Sequence, residues 1–75
     1  MTEIVDARGL NCPLPVLRAE KRAASLKPGE RFTLLATDPI ARVDVVHFCR
    51  SNGFSCDVTD EDGALRFTIG RPPKD

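Results

Sequence analysis

The chain has 75 residues, room for one small domain and no more. Its 11 basic and 11 acidic side chains cancel, which argues against a protein held on nucleic acid by phosphate contacts. No apolar run approaches the ~20 residues of a membrane span. The opening "MTEIVDARG" lacks the basic and apolar regions of a secretory signal. We therefore expect a cytoplasmic protein with no direct nucleic-acid or membrane contact. Its cysteines, Cys12, Cys49 and Cys56, are odd in number, which with that compartment speaks against a disulfide framework.

In chain order, residues 3–6 read as a short apolar strand, followed by a loop pivoting on Gly9. Residues 13–26 read as a helix whose inner stripe is Val16, Ala19, Ala23 and Leu26. Arg18, Lys21 and Arg22 lie on the opposite face, and Pro28-Gly29 stops the helix. Residues 31–37 form a second strand with Phe32, Leu34 and Ala36 on one face. Asp38-Pro39 opens a second helix, with Asp as N-cap and Pro at the first helical position. Its buried stripe runs through Ala41, Val45, Phe48 and Cys49, and "SNG" ends it. Residues 54–59 make a third strand with Phe54, Cys56 and Val58 inward, "DEDG" a turn, and "ALRFTIG" a last strand.

The order β-α-β-α-β-β predicts an α/β two-layer sandwich: a four-stranded mixed sheet with two helices on one face. The helical crossovers make the first three strands parallel. Thr33, Ser55, Asp57, Arg66 and Thr68 fall on the other face, which is polar enough to meet water. That face suggests a monomer, although Leu35 also points that way. A single domain is expected over residues 1–70, with 71–75 a flexible tail.

The stretch "GLNCPLPVL" holds the chemistry. A helix's first four N–H groups have no partner inside it, so proline is tolerated there and almost nowhere else in a helix. Pro13 and Pro15 therefore mark a first turn. Cys12, pushed out of helical geometry by the proline after it, is expected at the N-cap. There the helix end carries roughly half a positive charge, and cysteines so placed commonly ionise more readily. The N–H groups of Leu14 and Val16, with Arg8 across the Gly9 loop, would support a thiolate. Read from the residues alone, Cys12 is either such a reactive thiol or an inert substitute for a cap. His47 reads as a solvated residue on the outer face of the second helix, which disfavours a Cys-His hydrolase. Cys49 and Cys56 read as small core residues. No C-x-x-C pair is present, so no metal site is expected.

"DARGLNCPLP" followed by a helix, then "KPGERFTLLATDPIARVDVVHFCRSNGF", resembles the TusA/SirA-like family of small sulfur carriers from about Ile4 to Ile69. The similarity rests on Gly9-Leu10 before the CPxP core, "PGE" at 28–30, Asp38-Pro39, Asp44 and Phe48-Cys49. It implies sheet order 1-2-4-3. It also implies that Cys12 accepts sulfane sulfur as a persulfide from a donor such as a cysteine desulfurase or rhodanese. The sulfur then passes to an acceptor protein, in tRNA thiolation, cofactor biosynthesis or sulfur oxidation. Such a chain is a persulfide carrier of sulfurtransferase type rather than a turnover enzyme, and needs no cofactor. Cys56 has no role in that pattern.

Leu14 and Leu17, outside the buried stripe and close to Cys12, would form an apolar contact for partners. Arg18, Lys21 and Arg22 would make the adjoining face basic. Two other readings stay open: a non-catalytic interaction or regulatory module on the same fold, and a thiol-disulfide protein, which needs a second accessible thiol near Cys12.

Overall fold

The computed structural model describes residues 3–73. Its elements are β1 (Glu3–Ala7), α1 (Leu14–Ala23), β2 (Arg31–Ala36), α2 (Ala41–Asn52), β3 (Ser55–Glu61) and β4 (Ala64–Gly70). The sheet order is β1-β2-β4-β3. β1 and β2 are parallel, with Val5 opposite Leu34, and β4 runs antiparallel to both β2 and β3. The predicted α/β sandwich and strand order are those observed. β3, expected parallel to the first two strands, also runs alongside them but is separated from β2 by β4.

The core lies between the sheet and the helices. Phe32, Leu34, Phe67 and Ile69 are fully buried on the sheet side. Against them α1 buries Pro15, Ala19 and Ala23, and α2 buries Ala41, Val45 and Cys49. A buried Phe or Leu side chain contributes about 1.5–3 kcal/mol, so the sheet's large residues supply most of the apolar stabilisation. The helices' small residues let α1 and α2 approach closely. That approach places the starts of the two helices side by side, which matters for the site.

Several boundaries move, each for a local reason. α1 ends at Ala23, yet Leu26 stays buried because the chain keeps turning: Ser25 N–H donates to Arg22 O and Leu26 N–H to Ala23 O, 3.2 and 3.1 Å. The β3–β4 turn shrinks from four residues to Asp62-Gly63, both at positive φ, 51° and 79°. This is the pair that a two-residue hairpin turn favours, and Glu61 and Ala64 pair across it. Thr33, expected to meet water, is 2% exposed. It sits on an interior strand, flanked by Ile4 of β1 and Thr68 of β4. Arg71, assigned above to the tail, is tied down. It exchanges backbone bonds with the Gly29-Glu30 turn, 2.9 Å each, and its guanidinium lies 5.1 Å from the centre of the Phe54 ring. Lys74 and Asp75, the end of the expected tail, lie outside the described residues.

Candidate functional site

Two loops leave the C-terminal ends of parallel neighbours β1 and β2, and they are stitched together. Gly9, at φ +81°, donates its N–H to Thr37 Oγ1 at 2.9 Å. Cys12 donates its N–H to Asp38 Oδ2 at 2.6 Å. The other oxygen of Asp38, Oδ1, accepts the Ile40 N–H at 3.0 Å. One carboxylate thus satisfies a donor in each loop and fixes Cys12 against the entrance to α2. The expected placement of Pro39 at the first helical position is corrected by one tight turn. The N–H groups of Ala41, Arg42 and Val43 donate to the carbonyls of Asp38, Pro39 and Ile40, a tighter turn that leads into α2 and overlaps its first residues.

Cys12 is not the N-cap of α1. The peptide between Cys12 and Pro13 is cis, Pro13 occupies the cap position, and no side chain caps the helix. The Leu14 N–H, expected to face the sulfur, donates to Asn11 O at 2.9 Å. Pro15 is buried and Val16 packs against the core from a half-buried position. Arg8 does not reach the thiol either. Its Nε and Nη2 grip Asp6 Oδ1 and Oδ2 at 2.9 and 2.8 Å. That fork of hydrogen bonds holds the Asp6 carboxyl at about 2, below its ordinary 3.8. A guanidinium so engaged is not free to pair with a thiolate.

The sulfur's partner is a residue the spacing did not bring forward. Cys12 is exposed, and its Sγ donates to Asp44 Oδ2 at 2.7 Å. Asp44 stands in the first turn of α2, half-buried, 32 residues further along the chain. The thiol is pushed above its ordinary value, first by that hydrogen bond, then by partial desolvation and by the negative charges of Asp44 and Asp38. The expected easily ionised thiolate is therefore corrected: two carboxylates outweigh a helix end whose nearest N–H is already taken. In the sequence Asp44 stands among the residues that carry the family resemblance, with no role assigned to it, and it flanks the buried stripe of α2.

Exposed apolar side chains flank the starts of both helices. Leu14 and Leu17 are 45% and 50% exposed. With Arg18 and Lys21 they line an open groove of ≈ 600 Å³ between α1 and Val5 of β1. On the other side Ile40 and Val43, 55% and 68% exposed, stand at the start of α2, and the sequence reading had missed them. Arg22, counted above in a free basic face, is partly withdrawn. It binds Glu3 Oε2 at 2.9 Å and Ser25 Oγ at 2.8 Å and leans over the Phe32 ring.

The other thiols stand apart from this constellation. Cys49 is fully buried, and the neighbouring Cys56 together with burial pushes its thiol well up. Cys56, expected inward, is half-buried on the edge strand β3. His47 is exposed on α2, as the wheel suggests. Among the described residues no helix is long and apolar enough to cross a membrane.

The model of the family described as "Sulfurtransferase TusA" matches residues 3–71. The sulfur carrier protein TusA of Allochromatium vinosum is 39% identical over 66 residues, covering 87% of each chain. A candidate sulfur carrier of Neisseria meningitidis is 41% identical over 69 residues, 91% of this chain and 93% of its own. Among solved structures, the SirA-like protein of Desulfitobacterium hafniense superposes with a TM-score of 0.84 at 31% identity, covering 91% of this chain and 95% of that one. By fold, by extent of match and by identity, this chain belongs to the TusA sulfurtransferase family.

Proposed function

We propose that this protein is a sulfur carrier that bears sulfane sulfur as a persulfide on Cys12 and relays it from a donor protein to an acceptor protein. The observation that carries the reading is the mounting of Cys12. It is an exposed thiol anchored through its own N–H by Asp38 and through its sulfur by Asp44, on a thin domain. Such a thiol can meet two proteins in turn. Membership of the TusA family supports the same role.

In the relay, the Cys12 thiolate attacks the outer sulfur of a donor persulfide. A new S–S bond forms on Cys12, and the donor's S–S bond breaks to leave its thiolate. An acceptor thiolate then repeats the exchange on the outer sulfur of Cys12. Each partner must come within bonding distance of Cys12, so its surface must cover the residues around it. Leu14 and Leu17, beside the basic Arg18 and Lys21, fit an apolar contact rimmed by acidic groups. The donor is of the cysteine desulfurase or rhodanese kind.

A thiol-disulfide role is disfavoured because Cys49 is fully buried and Cys56 is half-buried on β3, at the sheet edge opposite β1, so neither is an accessible thiol beside Cys12. Incubation with a cysteine desulfurase, cysteine and pyridoxal phosphate tests the reading. Intact-mass spectrometry should show one added sulfur atom on wild type and none on Cys12→Ser. Equal loading of Cys12→Ser would overturn it.

A further inference from the structure

Asp38 and Asp44 both touch Cys12, but they are not equivalent. Asp38 spends one oxygen on the Ile40 N–H and the other on the Cys12 N–H, so it is committed to holding backbone. Asp44 touches the reacting atom itself, Sγ to Oδ2 at 2.7 Å. A carboxylate only accepts hydrogen bonds. It can therefore bind Cys12 only while the sulfur carries its proton. Arg8 is held by Asp6, within its own loop. Behind Asp44 the groove between the helices presents Glu20 from α1 and His47 from α2.

We propose that Asp44 is the residue by which the site distinguishes its empty state from its loaded one. In the empty carrier its carboxylate accepts the Cys12 S–H and keeps the sulfur protonated and turned toward α2. In the loaded carrier it repels the terminal sulfur and turns it outward to the partner surface. The second half rests on the sulfur-carrier reading, whereas the first concerns the thiol alone.

The chemistry balances without any added reagent. Cys12–SH and a donor persulfide, R–S–SH, become Cys12–S–SH and R–SH. Cys12 is oxidised to the persulfide as the donor is reduced to the thiol. The proton released from Cys12 passes by way of Asp44 and water to the departing donor thiolate. A persulfide spreads negative charge over two sulfurs and gives up its proton more readily than a thiol does. Once loaded, the site therefore holds an anion beside two carboxylates, and like charges separate. The same carboxylate that quiets the empty thiol exposes the cargo. An unloaded carrier would then resist adventitious alkylation and oxidation, because the thiolate is the reactive form.

The test needs no sulfur donor for its first arm. The rate of iodoacetamide alkylation, read on the Cys12 peptide while the pH is raised, gives the ionisation midpoint of the thiol. Wild type should lie above the ordinary value of about 8.5. Asp44→Asn should lower the midpoint by about one unit or more, speeding alkylation at neutral pH about tenfold, and Asp44→Glu should keep it high. An unmoved midpoint in Asp44→Asn overturns the proposal. If that variant does not fold, the ultraviolet thiolate titration of wild type decides: a midpoint at or below the ordinary value overturns it equally. In the second arm, sulfur release from equally loaded proteins to cyanide should be slower for Asp44→Asn than for wild type, and equal rates would remove the outward-turning role. Failure of wild type to load would refute the carrier reading, while the alkylation arm would still stand or fall by itself.

Discussion

α1 and α2 each begin just behind a proline that follows a residue able to carry negative charge, Cys12-Pro13 in one case and Asp38-Pro39 in the other. Their first turns are nevertheless built differently. Asp38 spends both oxygens on backbone N–H groups, one of its own turn and one of the neighbouring loop. Cys12 caps nothing: Asn11 O takes the N–H that its sulfur would have met, and the thiol turns instead to Asp44. The comparison separates two uses of similar sequence. One start holds structure together, and the other keeps a reactive atom free of structural duty. In the proposed relay Cys12 changes its covalent state twice per cycle, and such a residue is poorly suited to be a cap on which the fold depends.

The sharpest way to break this contrast is to exchange consequences between the two positions. Cys12→Ser should abolish sulfur loading outright, and mass spectrometry of loaded protein reads that directly. Asp38→Ala should cost about 1–3 kcal/mol in denaturant unfolding, because it strips an acceptor from two backbone donors at once. It should also loosen Cys12. Cys12→Ser, so damaging to loading, should change stability by no more than about 0.5 kcal/mol, as expected of an exposed residue that makes no cap bond. If the two unfolding results came out reversed, the division of labour between the helix starts would be wrong.

The smallest effects belong to Arg8. Arg8→Ala should leave the Cys12 alkylation midpoint where it is, since the guanidinium is bound to Asp6. A fall or rise of that midpoint would return Arg8 to the sulfur site. The same variant should let the Asp6 carboxyl climb from about 2 toward 3.8, followed by carbon-detected NMR titration. The sign follows from the depressed folded value. Whatever stability the pair lends is present above the unfolded value and is lost as the pH falls through about 2. For two exposed groups that contribution is small.

What was readable in the sequence was what depends on neighbours in the chain. Phe32, Leu34 and Ala36 of β2 and Ala19, Ala23 and Leu26 of α1 are buried as their period implies, while Val16 and Phe48 of the expected stripes are half-buried and Thr33, on the other face of β2, is buried as well. The site was half readable. Pro13 and Pro15 signalled a helix start and drew attention to Cys12, but they could not say what the sulfur faces. That depends on how α1 packs against α2. Asp44 is joined to Cys12 only by that packing. The same limit explains Arg8. Four residues from Cys12 it looked like a counter-charge, yet Asp6, two residues away on the other side, was nearer. The shortened hairpin turn was a local signal passed over: in "DEDG" the Asp62-Gly63 pair alone suffices, and Asp60 and Glu61 extend β3.

The central claim is that a sulfur atom travels on Cys12 and on neither Cys49 nor Cys56. The most direct measurement is to load the protein with a cysteine desulfurase and cysteine, alkylate the accessible sulfurs under native conditions and the buried ones after unfolding in the same reagent, and locate the extra sulfur by peptide fragmentation. The account predicts the added atom on the Cys12 peptide alone. Extra sulfur on the peptide carrying Cys49 or Cys56, with Cys12 alkylated as a simple thiol, would contradict it.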